Sequence, residues 1–228
     1  MLPSLVNFFG HAAIASVDPR PEAATTLGAM LPDFATMCGV RLIAHEPDAA
    51  PTDALRRGIA LHHATDAVFH AAPPVVALMR ELDERLAGLG CARGPRRATA
   101  HIGVELLLDG VWVDDAGFGE AYLAALAHDA ADIPWRDDAA PPRFAVLRAR
   151  LRGHGVPFDL RKPSAITQRL QRILGHRPLL APSASDLTAI ERALTEHQPR
   201  VTVAADAVMR FVRAAMRDTP DVTTSISS

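Results

Sequence analysis

The sequence predicts an all-α fold, a single-domain bundle of seven to ten helices. Of its 228 residues, 49% are hydrophobic but only 5% are aromatic. Runs of β-branched residues are scarce, so aliphatic helix packing is expected in place of a sheet. Proline and glycine divide the chain at intervals of helical length. Since no repeat or shift in composition marks a second domain, one domain is predicted over residues 1–217, with a flexible polar tail at 218–228.

The first four helices are bounded by prolines, glycines and a capping residue. Pro21 suits a first helical turn, and Pro32 is expected to kink or restart that second helix. Thr52 or Asp53 can cap the third helix. The first helix is predicted over Leu5–Val17, and the second from Pro21 to just before Gly39. The third is predicted from the capping residue to His70, and the fourth from Pro73 to Gly88–Gly90.

The fifth helix is predicted to be buried on much of its circumference. Its sequence PRRATAHIGVELLLDGVWV, from Pro95 to about Val113, carries apolar residues on several faces. Three shorter helices and a long last one, kinked at Pro199, are predicted to follow. Their predicted limits are 119–130, 143–152, 164–174 and 185–218.

Charge is concentrated in one segment of the chain. The formal net charge is −2, yet residues 143–177 hold nine basic residues and one acid, so this segment carries +8 and the remainder −10. Such asymmetry indicates either a patch for an anionic partner or the solvated faces of amphipathic helices. The segment has no Tyr or Trp on which bases could stack, which argues against nucleic acid as the partner.

Cysteine content and hydropathy bear on the cellular compartment. Cys38 and Cys91 are too few for a disulfide framework, which fits a reducing environment. The N-terminal segment MLPSLVNFFGHAAIASV lacks the basic residues of a signal peptide, and no apolar run reaches the length of a membrane span. A cytoplasmic protein without membrane contact is therefore expected.

Histidines and carboxylates lie inside otherwise apolar helices. His62 and Asp66 are four residues apart, as are His101 and Glu105, so each pair projects from one helix face. Burying unpaired carboxylates is costly, and a divalent cation would compensate them. Imidazole and carboxylate ligands favour Mn²⁺, Fe²⁺ or Mg²⁺, with Zn²⁺ also possible. The predicted metal ligands are His11, Asp33, His62, Asp66, Glu105 and Asp109.

The order of these motifs carries a resemblance to a known family. N-F-x-x-H is followed by L-x-x-x-L-x-D-F, G-I-x-x-H-x-x-x-D and a later acid-x-x-x-D pair. This order resembles the bacterial acyl carrier protein phosphodiesterase family, relatives of the HD-domain metal phosphohydrolases. The resemblance implies an HD-domain-like helical fold, a divalent metal, and hydrolysis of the phosphodiester that joins 4′-phosphopantetheine to holo-acyl carrier protein.

Position by position, the acidic and histidine residues of the motifs match the family, whereas some of the residues beside them do not. Matching residues are Asp33, His62, Asp66 and Asp109, with Glu105 in place of the usual Asp. Three nearby positions differ from the family. Ala29 is found in place of an Asn, His63 in place of an Arg, and Gly110 in place of a residue that is commonly His. The last two remove groups that could bind phosphate or move protons, so substrate specificity is more affected than the metal site.

These observations lead to a hypothesis of metal-dependent phosphodiester hydrolysis, in which His63 or His101 acts as general acid or phosphate contact. The basic segment would dock acyl carrier protein or another anionic phosphorylated substrate. One alternative is an HD-like phosphohydrolase acting on a nucleotide or other small phosphoester. Another is a non-catalytic helical binding protein with a polar His/Asp core. The oligomeric state is not predicted.

Overall fold

The computed structural model describes residues 8–16, 22–43 and 54–218. Within these ranges the chain forms nine α-helices, one short 3₁₀ helix and an isolated β-bridge between Leu42 and Trp135, which confirms the predicted all-α class. The α-helices are α1 (Phe8–Ala15), α2 (Ala23–Cys38), α3 (Ala54–Ala71), α4 (Pro73–Gly88), α5 (Arg93–Trp112), α6 (Ala116–Ala127), α7 (Ala140–His154), α8 (Pro163–Leu174) and α9 (Ala184–Asp218).

The predicted limits agree with most of these helices to within three residues. Helix α2 continues through Pro32 and is not restarted there, and α9 continues through Pro199. Helix α6 begins before its predicted start because the Asp115 side chain accepts a hydrogen bond from the backbone N–H of Phe118. The 3₁₀ helix at Phe158–Arg161 was not predicted.

Some predicted features lie outside the described residues. These are the start of the first helix at Leu5, the helical start at Pro21, the cap at Thr52 or Asp53, and the tail after residue 218.

Helix α5 lies at the centre of the fold. It contacts α1, α4, α8, α9 and the 3₁₀ helix, and most of its residues are buried. Leu106, Leu107 and Leu108 are buried in succession, so apolar contacts surround the helix as its sequence predicts. Glu105 and Asp109, on the same helix, are equally buried. The central position of α5 therefore carries two carboxyl groups into the apolar core.

Helices α2 and α3 touch through two glycines. A Cβ atom added to Gly28 would lie 2.1 Å from the carbonyl oxygen of Leu55, and one added to Gly58 would lie 2.1 Å from that of Thr25. Both distances are far shorter than a van der Waals contact, so any side chain at either position would separate the two helices. This backbone-to-backbone contact fixes the spacing between the side chains that α2 and α3 contribute to the interior.

Gly110 allows a second close approach, between α5 and the 3₁₀ helix. A Cβ atom there would lie 2.3 Å from the carbonyl oxygen of Leu160. The backbone of the 3₁₀ helix thus occupies the space that a side chain at position 110 would need. The packing therefore requires glycine at position 110, directly after Asp109.

The described helices include none that is both long and apolar enough to cross a membrane.

The contact between α2 and α3 yields a stability prediction. Replacing Gly58 with Ala (Gly58→Ala) should lower the free energy of unfolding by at least about 1–3 kcal/mol, the usual cost of overpacking a filled interior. Urea unfolding at equilibrium measures this change. The matched control is Gly153→Ala near the end of α7, where an added Cβ meets no atom within 4 Å and a gain of about 0.4–1 kcal/mol is expected. Equal effects at the two positions would contradict the packing argument.

Candidate metal centre

Three helices bring predicted ligands together in the interior. His11 on α1, Asp33 on α2 and His62 on α3 each offer one nitrogen or oxygen atom, and these atoms all lie within 4.8 Å of one another. The three side chains are buried, and the rings of His11 and His62 stack with centroids 3.9 Å apart. The sequence predicted all three as metal ligands, and the fold places them at one point. They are called here the buried triad.

Asp66 lies against the buried triad from α3. One carboxylate oxygen is 3.2 Å from His11 Nε2, and the other is 3.5 Å from His62 Nε2. Asp33 is farther away, with its nearest oxygen 4.0 Å from His11 Nε2. These separations exceed the 2.7–2.9 Å or so of a charge-assisted hydrogen bond. Ligands held at about 2.1 Å by a tetrahedral cation lie about 3.4 Å apart, which is close to the two separations of Asp66.

The orientation of the His62 ring is fixed from α2. Its Nδ1 lies 2.9 Å from the carbonyl oxygen of Ala29, so Nδ1 carries the proton and donates it to that oxygen. Nε2 is then left with its lone pair directed toward the triad. A second hydrogen bond of this kind is the usual way in which proteins orient a metal-binding histidine.

A second group of ligand-type side chains lies beside the first. His70 on α3 and His101 and Glu105 on α5 offer atoms within 4.8 Å of one another. Glu105 is buried, whereas the two histidine side chains are 28% and 32% exposed. The sequence predicted Glu105 as a ligand and His101 as a catalytic residue, and it did not include His70 among the predicted ligands. The available signal was the four-residue spacing from Asp66 to His70, which places both on one face of α3.

The electrostatics of the buried triad suit a cation. Burial, offset only in part by the nearby His11, raises the pKa of Asp33 to about 7. Burial and the adjacent His11 lower the pKa of His62 to about 3, so its imidazole is neutral near neutral pH. Neither carboxylate oxygen of Asp33 has a hydrogen-bond partner among the described residues. A neutral imidazole and an uncompensated carboxyl are the groups that a divalent cation would pair with.

Asp66 and Glu105 show opposite shifts. Burial would raise the pKa of Asp66, but the histidines around it, His11 above all, outweigh burial and lower that pKa. Burial, reinforced by the neighbouring carboxylates, raises the pKa of Glu105 well above its ordinary value. Asp66 is thus the ionised carboxylate of the centre. Its side chain is 27% exposed, so it also connects the buried triad with solvent.

Asp109 was predicted as a ligand, and the structure buries it near Asp33 but outside the buried triad. Burial and the neighbouring Asp33 raise the pKa of Asp109 well above its ordinary value, offset in part by the guanidinium of Arg169 on α8 and a hydrogen bond from the backbone of Gly10. Arg169 was not expected near Asp109, because the sequence around position 109 contains no basic residue. Neither of the two ligand groups found among the described residues includes Asp109.

His63, predicted as a catalytic residue, is exposed and lies next to His62 on α3. The two rings meet edge to face, with centroids 5.3 Å apart and an interplanar angle of 89°. His63 therefore borders the centre without entering it.

Comparison with models of known protein families, with curated proteins and with solved structures finds no match to this chain. The site is accordingly interpreted from its own geometry.

The shift at Asp33 predicts a pH dependence in metal-free protein. The folded state keeps the Asp33 proton up to about pH 7, whereas the unfolded chain releases it near 3.8. Folding therefore takes up a proton between these values, so this residue makes stability fall as pH rises from about 4 to about 7. Asp33→Asn removes that contribution. The difference in free energy of unfolding between this variant and the wild type should therefore shift in the variant's favour as pH rises across this window and then stay constant.

Urea unfolding in the presence of a chelator, at half-unit steps from pH 4 to 8, measures the difference. One pKa unit corresponds to about 1.36 kcal/mol, so the two profiles should diverge by several kcal/mol. The control is Asp206→Asn, which alters an exposed carboxylate on α9 and should follow the wild-type profile. Parallel profiles for Asp33→Asn and the wild type would show that Asp33 is compensated in the folded protein.

Proposed function

We propose that this protein is a metal-dependent phosphoester hydrolase whose cation is held by the buried triad and Asp66. The observation that carries the proposal is the convergence of His11, Asp33 and His62 from three helices, with ligand-type atoms within 4.8 Å of one another, and the approach of Asp66 to both imidazoles. Two imidazoles and two carboxylates form a donor set that first-row divalent metals accept. The motif order that resembles acyl carrier protein phosphodiesterases supports the same chemistry.

Each ligand has a distinct part in this arrangement. Asp33 and His11 are buried and would hold the cation from the apolar side. His62 is oriented by the carbonyl of Ala29 and presents Nε2. Asp66 is partly exposed and lies where a substrate phosphate would approach. A bound divalent cation would neutralise phosphoryl oxygens and lower the pKa of the attacking water.

His63 is the side chain best placed to move a proton at the open side. It is exposed, adjoins His62 and lies outside the ligand set. An imidazole there can protonate the leaving alkoxide or contact a phosphate oxygen. We propose this role for His63, in the place of the Arg that the resembling family carries.

The proposed substrate is holo-acyl carrier protein, and the basic segment supports it as a surface for an acidic protein. Lys162, Arg150 and Arg152 are exposed on α7 and at the start of α8. Their positive charge would attract an acidic partner and speed its encounter with the site.

A small phosphoester, such as a nucleotide, is the second candidate. This candidate is favoured because several arginines of the basic segment at residues 143–177 make contacts within the protein itself. Arg148 donates to the carbonyls of Leu126 and His128, and Arg169 pairs with Asp159. These contacts leave fewer cations for docking a protein, whereas a small substrate needs only the centre itself.

Activity assays with reconstituted protein test the function. Chelated protein is reloaded with Mn²⁺, Fe²⁺, Mg²⁺ or Zn²⁺ and assayed on holo-acyl carrier protein and on bis(4-nitrophenyl) phosphate. We expect metal-dependent hydrolysis, and Asp66→Asn should reduce it by at least about 100-fold, since even partners outside the ligand set contribute about 10- to 100-fold.

The control variant is Asp206→Asn, which should retain wild-type rates, and circular dichroism should show that both variants are folded. Cleavage of the generic ester alone would favour the small-substrate candidate. Metal uptake without hydrolysis of either ester, or hydrolysis unchanged in Asp66→Asn, would contradict the proposed centre.

A further inference from the structure

We propose a second divalent-cation site, formed by His70, His101 and Glu105, that takes a zinc-class ion. It goes beyond the proposed function, because neither its ligands nor its geometry depend on the buried triad. Two imidazoles and one carboxylate are a donor set that binds zinc while leaving a fourth position free.

The distances among the three side chains fit an ion between them. Glu105 Oε1 lies 3.3 Å from His101 Nε2 and 3.6 Å from His70 Nε2. Both separations are longer than the 2.7–2.9 Å or so of a typical charge-assisted hydrogen bond, and both are close to the spacing of about 3.4 Å between ligands of a tetrahedral ion. The imidazole rings stack at 16°, with centroids 4.6 Å apart, and both Nε2 atoms lie within 3.6 Å of the same carboxylate oxygen.

Glu105 supplies a second, independent observation. Its side chain is 1% exposed, and Oε2 has no hydrogen-bond partner in the described part of the chain. Among the same residues, His70 Nδ1 is also buried without a partner. An unsatisfied carboxyl in the core costs free energy, and the two imidazoles are the closest groups that could share a cation with it.

The site is open on one side. The His70 and His101 side chains are about three-tenths exposed, while Glu105 closes the site from the core. An ion could enter past the two rings, and its fourth position would face solvent.

Asp66 lies against the buried triad and precedes His70 by four residues on α3, so it is near both groups. Its charge acts on His70 and His101 as well as on His11 and His62. With both sites loaded, Asp66 would be the acidic group shared by two neighbouring cations, an arrangement that suits phosphoryl chemistry.

Metal titration of the chelated full chain tests the site. Calorimetry with Zn²⁺ should give two equivalents per chain for the wild type. His101→Phe, which keeps a ring stacked on His70, and Glu105→Gln should each bind only one equivalent with high affinity. Affinity at the second site should fall by more than about 100-fold, beyond the cost of losing an outer partner. His176→Ala, which alters an exposed histidine, should retain two equivalents.

Co²⁺ provides a readout that does not depend on stoichiometry. Visible absorption of tetrahedral Co²⁺ should persist in Asp33→Asn and lose the contribution of the second site in His101→Phe. Circular dichroism of the chelated variants shows whether each is folded.

Four results distinguish the two sites. Two equivalents that fall to one in His101→Phe and Glu105→Gln support the second site. If the wild type binds one equivalent of Zn²⁺ and both variants still bind it, the second site is overturned and the site at the buried triad stands. If the wild type binds one equivalent of Zn²⁺, and that equivalent is lost in His101→Phe and Glu105→Gln but retained in Asp33→Asn, the second site is supported and the proposed function is overturned. Absence of binding overturns both.

Discussion

The close approach of α2 and α3 at Gly28 and Gly58 is the constraint on which the centre depends. With no Cβ atoms between them, the two backbones come near enough for a carbonyl of α2 to accept a hydrogen bond from a ring of α3. That bond joins Ala29 and His62 and fixes the proton of the ring on Nδ1. The same spacing brings Asp33 to the buried triad. Larger residues at the two glycines would push the helices apart. The side chains of the buried triad would then separate although none of them had been replaced.

Burial of the carboxyl groups has an energetic consequence for the metal-free protein. Asp33 and Glu105 lie in apolar surroundings, and burial raises the pKa of each. Without a cation, both favour the neutral form, and the free energy needed to ionise them is subtracted from stability. A bound cation would remove this cost and add its own binding free energy to that of folding. The residues that would make the centre reactive are therefore also those that make it unstable when empty.

Much of the helical framework could be predicted from the sequence, because proline, glycine and apolar spacing act locally. The same holds for ligand pairs on one helix, such as His62 with Asp66. What could not be predicted depends on contacts between distant segments. The 3₁₀ backbone at Leu160 occupies the space beside Gly110, and the charge of Arg169 acts on Asp109 from another helix. No local pattern records either interaction. Likewise, His70 meets His101 and Glu105 only through the tertiary fold, because the three side chains come from helices that are distant in the sequence.

The two ligand groups differ in exposure, and this difference assigns them different chemistry. In the buried triad, every side chain is enclosed, so an ion there would be open to substrate only on the side of the partly exposed Asp66. The second group has two half-buried rings at the surface and one carboxyl in the core. An ion there would exchange more readily and meet a phosphate directly. Because Asp66 acts on both groups, loading one site changes the charge felt by the other. A negative phosphate between two cations would relieve their mutual repulsion, so substrate and the second ion should favour each other's binding.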